Sequence, residues 1–521
     1  MHNRTNALFS VIIGLAALPL FGQEVIMPAH LTLQECLVRA VKHNLGVAVQ
    51  VYSSEISDVA VSASREKYLP VLSFDYTKQN LNSASYSWLD TAEKSSSTYT
   101  NYEMSFSQAI PFGGSFSVSL GSNRNWANTR FQTINPRYQS TLTFSFSQPL
   151  LKNFGDQVSR KDILVARNNR DIAESDLKKF LIDTVSSVEQ AYWNLVLYNE
   201  SLKVQHQSLK LAENLLTNNQ KKAQIGTLAP KEVISAKAEV ARLRADILQA
   251  TSQVKNQVDF LKGLINLPLN QETGDIVPVD SPIFVKRDIA LGDALAIGLK
   301  NRPDLQSSAL GIKNKELDYA YVKNQTLPDL KLSASYWSPG VSGDRILFLD
   351  SNPLSGVVLG TVPEGSSLAL KEALRFRYEN WSVKLSLTIP MSSVFSRAAQ
   401  SEAKLGLNQQ IALMKQTEQT AYLEIRTAVR AVQTNFERVS ARQTARELAE
   451  QKLEAEQAKL EAGMSTSFVV LNYQRDLATA QTSELQALID YTLSLSQLDK
   501  ATGTILEKRN IKLTDAWEAV K

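Results

Sequence analysis

The sequence predicts an internally duplicated α+β fold, in which long coiled-coil helical hairpins alternate with stretches of strand. Three observations carry this. Apolar residues recur every seven positions along extended runs, other stretches alternate apolar and polar residues, and both patterns return in the same order in the second half.

The N-terminus reads MHNRTNALFSVIIGLAALPLFGQE, with Arg4 as a charged start, an apolar run from Ala7 to Leu20 and a small-residue exit at Phe21-Gly22-Gln23. This predicts a secretory signal over residues 1–22. The apolar run is short for a membrane anchor. No cysteine follows it directly, so a lipoprotein signal is not expected. Beyond residue 25 no stretch approaches the length of a membrane-spanning helix. An exported chain of this kind is either periplasmic or an outer-membrane β-barrel.

Next comes LTLQECLVRAVKHNLGVAVQ (31–50), whose apolar spacing predicts helix, and it returns as IALGDALAIGLKNRPDLQSSA (289–309). Leu33, Leu37, Val41 and Val47 fall on Leu291, Leu295, Leu299 and Leu305, and Pro70 of KYLPVLSFDY falls on Pro328 of QTLPDLKLSA at the same offset. Pro149 then matches Pro390, and Gly226 matches Gly463. Shared offsets in a fixed order indicate a true duplication. Its first copy covers 23–288, with strands over 71–149, a helical hairpin over 157–266 and a linker over 267–288. The second copy covers 289–521, with strands over 329–390, a hairpin over 392–502 and a C-terminal tail.

The strand segments SFDYT (73–77), YEMSFSQ (102–108), SFSVSLGS (115–122), YQSTLTFSFSQ (138–148), KLSASYW (331–337) and NWSVKLSLTI (380–389) alternate with period two. One face is apolar and the other polar. Water or lipid suits such a pattern equally, depending on which face is buried. Residues 78–101 and 338–379 read as loops. The long helices carry Leu181, Val188, Leu195, Leu202, Leu209 and Leu216, then Val233, Val240, Ile247, Val254 and Leu261. The second copy repeats this with Ile425, Val432, Val439, Leu453 and Leu460, Arg446 alone breaking the series. Such spacing with charged flanks predicts coiled-coil packing.

Between the helices of each hairpin lies an interruption: AQIGTLAPKEV (223–233) and LEAGMSTSFVV (460–470). Gly226 and Gly463 permit the φ values of a tight reversal, Pro230 suits the first turn of the returning helix, and Ser465, Thr466 and Ser467 are cap candidates. The tip residues are therefore Gly226, Thr227, Leu228 and Ala229 in the first copy and Gly463, Met464 and Ser465 in the second.

Composition excludes several classes of function. A net charge of +4 over 521 residues, with bases and acids interleaved, argues against nucleic-acid binding. One cysteine, Cys36, and four histidines leave no disulfide framework and no zinc constellation. Cys36 is expected in a helix core, and His206 on a polar helix face. PFGGS (111–115) reads as a turn between strands, not a nucleotide loop, and GVVLG (356–360) lies in a loop-rich stretch. Glu454 and Glu456 are expected on a solvated helix face. No catalytic, cofactor-binding or metal-ligating set emerges.

The order of LTLQECLVRAVKHN, a helix ending in YLP, strands ending in SQPLL, a long helix with IGTLAPKEV, and then all of it again resembles the outer membrane efflux protein family, the TolC-like channels. The resemblance runs from about Leu31 to Leu506. It implies a homotrimer whose strands pool into one outer-membrane β-barrel and whose hairpins form a periplasmic α-barrel, open outward and constricted at the tips. It implies a passive exit duct for efflux or type I secretion, without cofactors. Its partners would be a periplasmic adaptor, an inner-membrane RND or ABC transporter, and outer-membrane lipid. The family pattern has two strands per half, so twelve strands per trimer are expected, and the hairpin at about 112–137 is surplus: it either lengthens an extracellular or periplasmic feature or enlarges the barrel, which leaves four or six strands per chain. Acidic residues that ring the entrance in the best-known branch are replaced here by Val469 and Asn472. Glu232 matches that branch's latch acid, but Leu460 and Ser465 stand where its tyrosine and arginine would be. Glu232 forms either a constriction ring or an outward-facing first-turn glutamate favoured by the helix dipole. The alternative class is a periplasmic coiled-coil adaptor or structural protein without a pore.

Overall fold

The computed structural model describes residues 30–85, 94–129, 131–268, 276–389 and 394–518. The expected signal segment lies outside them. In chain order the elements begin with β1 (His30–Leu31), α1 (Leu33–His43) and α2 (Leu45–Glu66). Four strands follow: β2 (Val71–Ala84), β3 (Lys94–Ala109), β4 (Ser115–Ala127) and β5 (Ile134–Pro149). A short α3 (Asp156–Ser159) leads into α4 (Lys161–Gln224), and α5 (Pro230–Leu264) returns. The second half contains β6 (Val277–Pro278), α6 (Leu291–Asn301), α7 (Pro303–Gln325), β7 (Asp329–Phe348), β8 (Val358–Val362), α8 (Ser366–Leu374) and β9 (Asn380–Thr388). It closes with α9 (Val394–Glu461), α10 (Ser467–Ala501), α11 (Ile505–Lys508) and α12 (Leu513–Glu518).

The element lengths repeat. Helices α1 and α6 each have 11 residues, α5 and α10 each have 35, and α4 and α9 have 64 and 68. At 1.5 Å per residue, α4 would run about 95 Å if straight. The endings match as well: Leu267 N donates to Lys262 O after Asn266 at φ 50, and Thr504 N donates to Asp499 O after Gly503 at φ 70.

The chain divides into two compact units. The first contains residues 188–283 and 444–489 together with the start of the described chain. Here β1 pairs in parallel with β6, and Tyr192 ties the pair together. Its hydroxyl accepts from Val279 N at 3.1 Å and Asp280 N at 3.2 Å and lies 3.1 Å from Leu31 O. Arg446, the exception in the heptad series, lies beside the Glu484 carboxylate at 2.7 Å and Glu450 at 3.0 Å, so its position serves an ion-pair network instead of the apolar seam.

The second unit contains residues 40–187, 284–443 and 490–521. Its centre is one sheet in the order β2-β3-β4-β5-β7-β8, with β9 also paired to β7. All these pairings are antiparallel. Two sequence expectations give way here. Four strands per chain were expected, but the chain has six long ones and the short β8, because the surplus hairpin is built into the middle of the sheet. Residues 78–101 and 338–379 are also not simply loops: β2, β3, β7, β8 and α8 occupy much of them. Serine, threonine and asparagine there alternate in strand register, and a compositional reading mistakes them for loop. PFGGS forms the turn between β3 and β4, as the sequence suggests.

Candidate functional site

Each hairpin tip is built by the backbone. After α4, Gly226 takes φ +78°, and after α9 Gly463 takes φ +75°, with nothing within 4 Å of where a Cβ would stand at either. Thr227 N donates to Lys222 O at 2.9 Å while Gly226 N donates to Ala223 O at 3.1 Å. The second tip repeats this: Met464 N donates to Lys459 O at 2.8 Å and Gly463 N to Leu460 O at 3.2 Å. This paired closure satisfies helix-end carbonyls that would otherwise be orphaned and requires a left-handed residue between helix and turn. Pro230 then opens α5 behind Ala229, where its missing N–H costs no bond.

The structure brings the two tips together. Ala212, Ala236, Val240, Leu243 and Leu471 form a buried cluster from α4, α5 and α10, with Leu209, Leu215 and Leu216 against it. Buried Asn219 receives a hydrogen bond from Ser467 Oγ at 3.1 Å and donates to Glu232 O at 3.5 Å, joining all three helices. Ser465 Oγ donates to Glu456 Oε1 at 2.5 Å, and Lys459 Nζ lies 3.1 Å from the other carboxylate oxygen. The Ser465 hydroxyl and then Lys459 hold the Glu456 carboxyl below its ordinary range. Ser465 and Ser467 both donate their hydroxyls to neighbouring helices, to Glu456 and Asn219. One reading is corrected here. Glu456 is buried rather than solvated, although Glu454 is exposed. Asn219 was missed because one asparagine of the two in the polar run TNNQKK carries no signal until Ser467 faces it.

The other predicted residues are placed as follows. Thr227, Ala229 and Met464 are exposed, Leu228 is half-buried, and Val469 and Asn472 are half-buried in the first turns of α10. Glu232 sits in the first turn of α5, half-buried, with its Oε2 enclosed and without a hydrogen-bond partner. His206 is exposed, and Cys36 is fully buried on α1, where burial pushes its thiol up to about 12. Farther from the tips, α4, α5 and α10 line an open pocket of about 290 Å³. On its wall Glu239, almost buried, meets Arg242 at 2.5 Å and Arg475 at 2.9 Å. Its carboxyl is held below the usual range, first by Arg242. Among the described residues there is no group of three or more His, Cys, Asp or Glu able to hold a metal ion.

In the second unit the sheet has two chemically distinct faces. Register places Leu72 beside Phe106, Phe106 beside Val118, Val118 beside Phe144, Phe144 beside Tyr336 and Tyr336 beside Trp381. This apolar band continues through Phe74, Met104, Leu120, Leu142, Val383 and Leu385, and most of its side chains are exposed or half-buried. The opposite face carries Ser73, Ser105, Ser119 and Thr143 in one row and Ser117, Ser145, Ser335 and Ser382 in the next. Toward one end, α8 lies on the apolar side. Ala369 and Ala373 are fully buried, Ser342 Oγ donates to Gly365 O at 2.9 Å, and Phe376 stacks near Phe144 at 6.3 Å. Gly340 makes the approach possible, because a Cβ there would stand 2.0 Å from Ala369 O.

No described helix is long and apolar enough to cross a membrane. The sheet's six long strands, however, have 9 to 20 residues and carry an apolar band on one face, the pattern and length of a membrane β-barrel wall. The model of the outer membrane efflux protein family matches residues 111–267 and 295–504, more than half of the chain. The chain belongs to the outer membrane efflux protein family. This efflux protein is accordingly an outer-membrane channel for export and not an enzyme. Its fold is similar to that of the outer-membrane channel OprN, with a TM-score of 0.65 at 16% identity, covering 91% of this chain and 90% of the other. It is similar to the CmeC outer membrane channel of Campylobacter jejuni, with a TM-score of 0.65 at 16% identity over 92% and 90% of the two chains. The open state of the MtrE outer membrane channel of Neisseria gonorrhoeae gives 0.62 at 18% identity over 91% and 89%. No curated protein matches the efflux protein's sequence.

Proposed function

We propose that the efflux protein is a passive exit duct built from three copies of the chain. The copies pool their strands into one barrel in the outer membrane, and the duplicated hairpins, one in 23–288 and one in 289–521, extend into the periplasm as an α-barrel. Residues 1–22 direct export. The tips, from Gly226 to Ala229 and from Gly463 to Ser465, form the inner mouth, where a periplasmic adaptor docks. An inner-membrane RND or ABC transporter loads the cargo, in efflux or in type I secretion. Glu232, Val469 and Asn472 line the constriction.

One observation carries this reading: a sheet with an apolar band running across one face from edge to edge and two unpaired edges. Six strands are too few for closure, since small barrels need about eight, and open edges do not persist in lipid. Copies of the same chain supply the missing neighbours. A second unpartnered surface supports this. On α2, Leu45, Val49, Tyr52, Ile56 and Val59 are exposed at alternating spacings of four and three, the seam of a helix that packs on another.

Fractionation combined with planar-bilayer recording tests the proposal. The protein should stay with the outer membrane after a high-salt wash, need detergent for release and open discrete channels. Recovery as a soluble periplasmic protein would leave the coiled-coil adaptor reading in its place. Glu232→Ala should alter ion selectivity, and unchanged selectivity removes Glu232 from the constriction.

A further inference from the structure

The open edges of the sheet are β2 on one side and, beyond β7 on the other, β9 along Asp329–Trp337 with the short β8 farther along β7. Three features of these edges fit each other.

The first is charge. Asp75 and Glu103 stand directly opposite one another across β2 and β3, on the polar face. Like charges in that position repel, and neither forms an ion pair among the described residues. On β9, Lys384 lies on the same polar face opposite Ser333 and is likewise unpaired among the described residues.

The second is stagger. The row of residues perpendicular to the strands through Val71, at the start of β2, passes through Ser107, Ser117, Ser145 and Ser335 and meets β9 at Ser382. Strand β9 continues from Ser382 to Thr388, so the lower boundary of the sheet climbs six residues from one edge to the other. Counting the step to the next copy, that is one residue per strand. At about 3.3 Å per residue and about 4.8 Å between strands, the tilt is about 35°, which is the tilt at which barrels close.

The third is the apolar band. Aligning the two lower ends puts Val71 opposite Thr388. Leu72, Phe74 and Tyr76 then stand beside Leu387, Leu385 and Val383, which continues the band across the seam with no change of face. A slip of one residue would turn polar side chains into the band.

We infer that β2 of one chain pairs antiparallel with β9 of a second copy in this register, and that Asp75 faces Lys384 across the seam. The lysine neutralises the Asp75/Glu103 repulsion, so each open edge supplies what the other lacks. This rests on the three-copy duct reading. With six long strands from each of three copies the closed wall has eighteen strands, a number that leaves a wide aqueous lumen in porin-type barrels.

Paired cysteines read the seam directly. The full chain, assembled in the outer membrane with Asp75→Cys and Lys384→Cys together, is oxidised and run denatured without reductant. The two positions lie on opposite edges of the sheet, so a disulfide between them joins different chains, and native Cys36 is too deeply buried to compete. The expected result is covalent dimers and trimers, with at least tenfold less product from Ser73→Cys paired with Lys384→Cys. Asp75→Lys alone should reduce the detergent-resistant oligomer, and adding Lys384→Asp should restore it. An intact oligomer that crosslinks only through the shifted pair overturns this register and leaves the duct standing. A wild-type chain that forms no oligomer in the membrane overturns both.

Discussion

At the residue scale, the tips show how little chemistry a sharp reversal needs. Gly226 and Gly463 have open space around them, so Gly226→Ala meets no clash and isolates the left-handed backbone cost. That cost is roughly 1–2 kcal/mol for an L residue, readable as a lower unfolding midpoint in detergent without loss of assembly. Glu239 offers a different residue-level test. Its folded pKa is depressed below the ordinary value of 4.5, chiefly by Arg242, so its stabilisation is present at neutral pH and is lost as the pH falls through the folded value. Glu239→Gln should therefore cost about 1–2 kcal/mol at pH 7, discounted because both arginines are partly exposed. In thermal melts the gap from wild type should close on acidification below the carboxylate range. A gap that stays constant with pH would mean that Glu239 acts by packing and not by charge.

At the element scale, the two rows of the apolar band differ enough from the face behind them that single substitutions can assign the faces there. Val118 lies in the apolar band, and Ser119, its neighbour, lies on the polar face. If the band meets lipid, Val118→Arg costs about 2–4 kcal/mol near the bilayer midplane while Ser119→Arg costs little. The comparison is made by folding into lipid vesicles and following denaturant unfolding. Helix α8 was not legible in the sequence, because Ser366–Leu374 is a short segment among loop-like residues and its docking depends on a glycine in a distant strand. Gly340→Leu should detach it, since a side chain there runs into the backbone of Ala369 and Ala373. Faster proteolytic cleavage between β8 and β9, with the sheet intact by circular dichroism, is the expected sign. The long helices, by contrast, were legible, while the seven-residue spacing marks buried positions only over part of their length. Heptad spacing is a local signal, and most of the residues it marks early in α4 and α9, such as Leu181, Val188, Ile425 and Val432, are fully or almost fully buried.

At the scale of the whole molecule, duplication was legible because matched landmarks such as Gly226 and Gly463 sit in matched backbone turns. Strand number was not. The surplus hairpin at about 112–137, which holds β4 and the start of β5, alternates like its neighbours, and only register shows it to be wall instead of decoration. That distinction leads to a deletion. Strand β2 runs antiparallel to β3, β3 to β4, and β4 to β5, so removing β3 and β4 leaves β2 still antiparallel to β5. The perpendicular row from Asp75 through Glu103 and Gly121 arrives at Thr141, so both polar faces stay on one side and Phe74 comes beside Leu142. Joining Ser85 to Asn128 should therefore yield a chain of four long strands that still assembles through its unchanged β2 and β9 edges. Barrel diameter grows about linearly with strand number. End-on electron-microscopy averages of the sheet end should shrink to about two-thirds of the wild-type width, with the copy number unchanged by mass. An unchanged width would mean that β3 and β4 are not part of the wall, and loss of assembly despite retained sheet content would place a copy contact on the deleted pair.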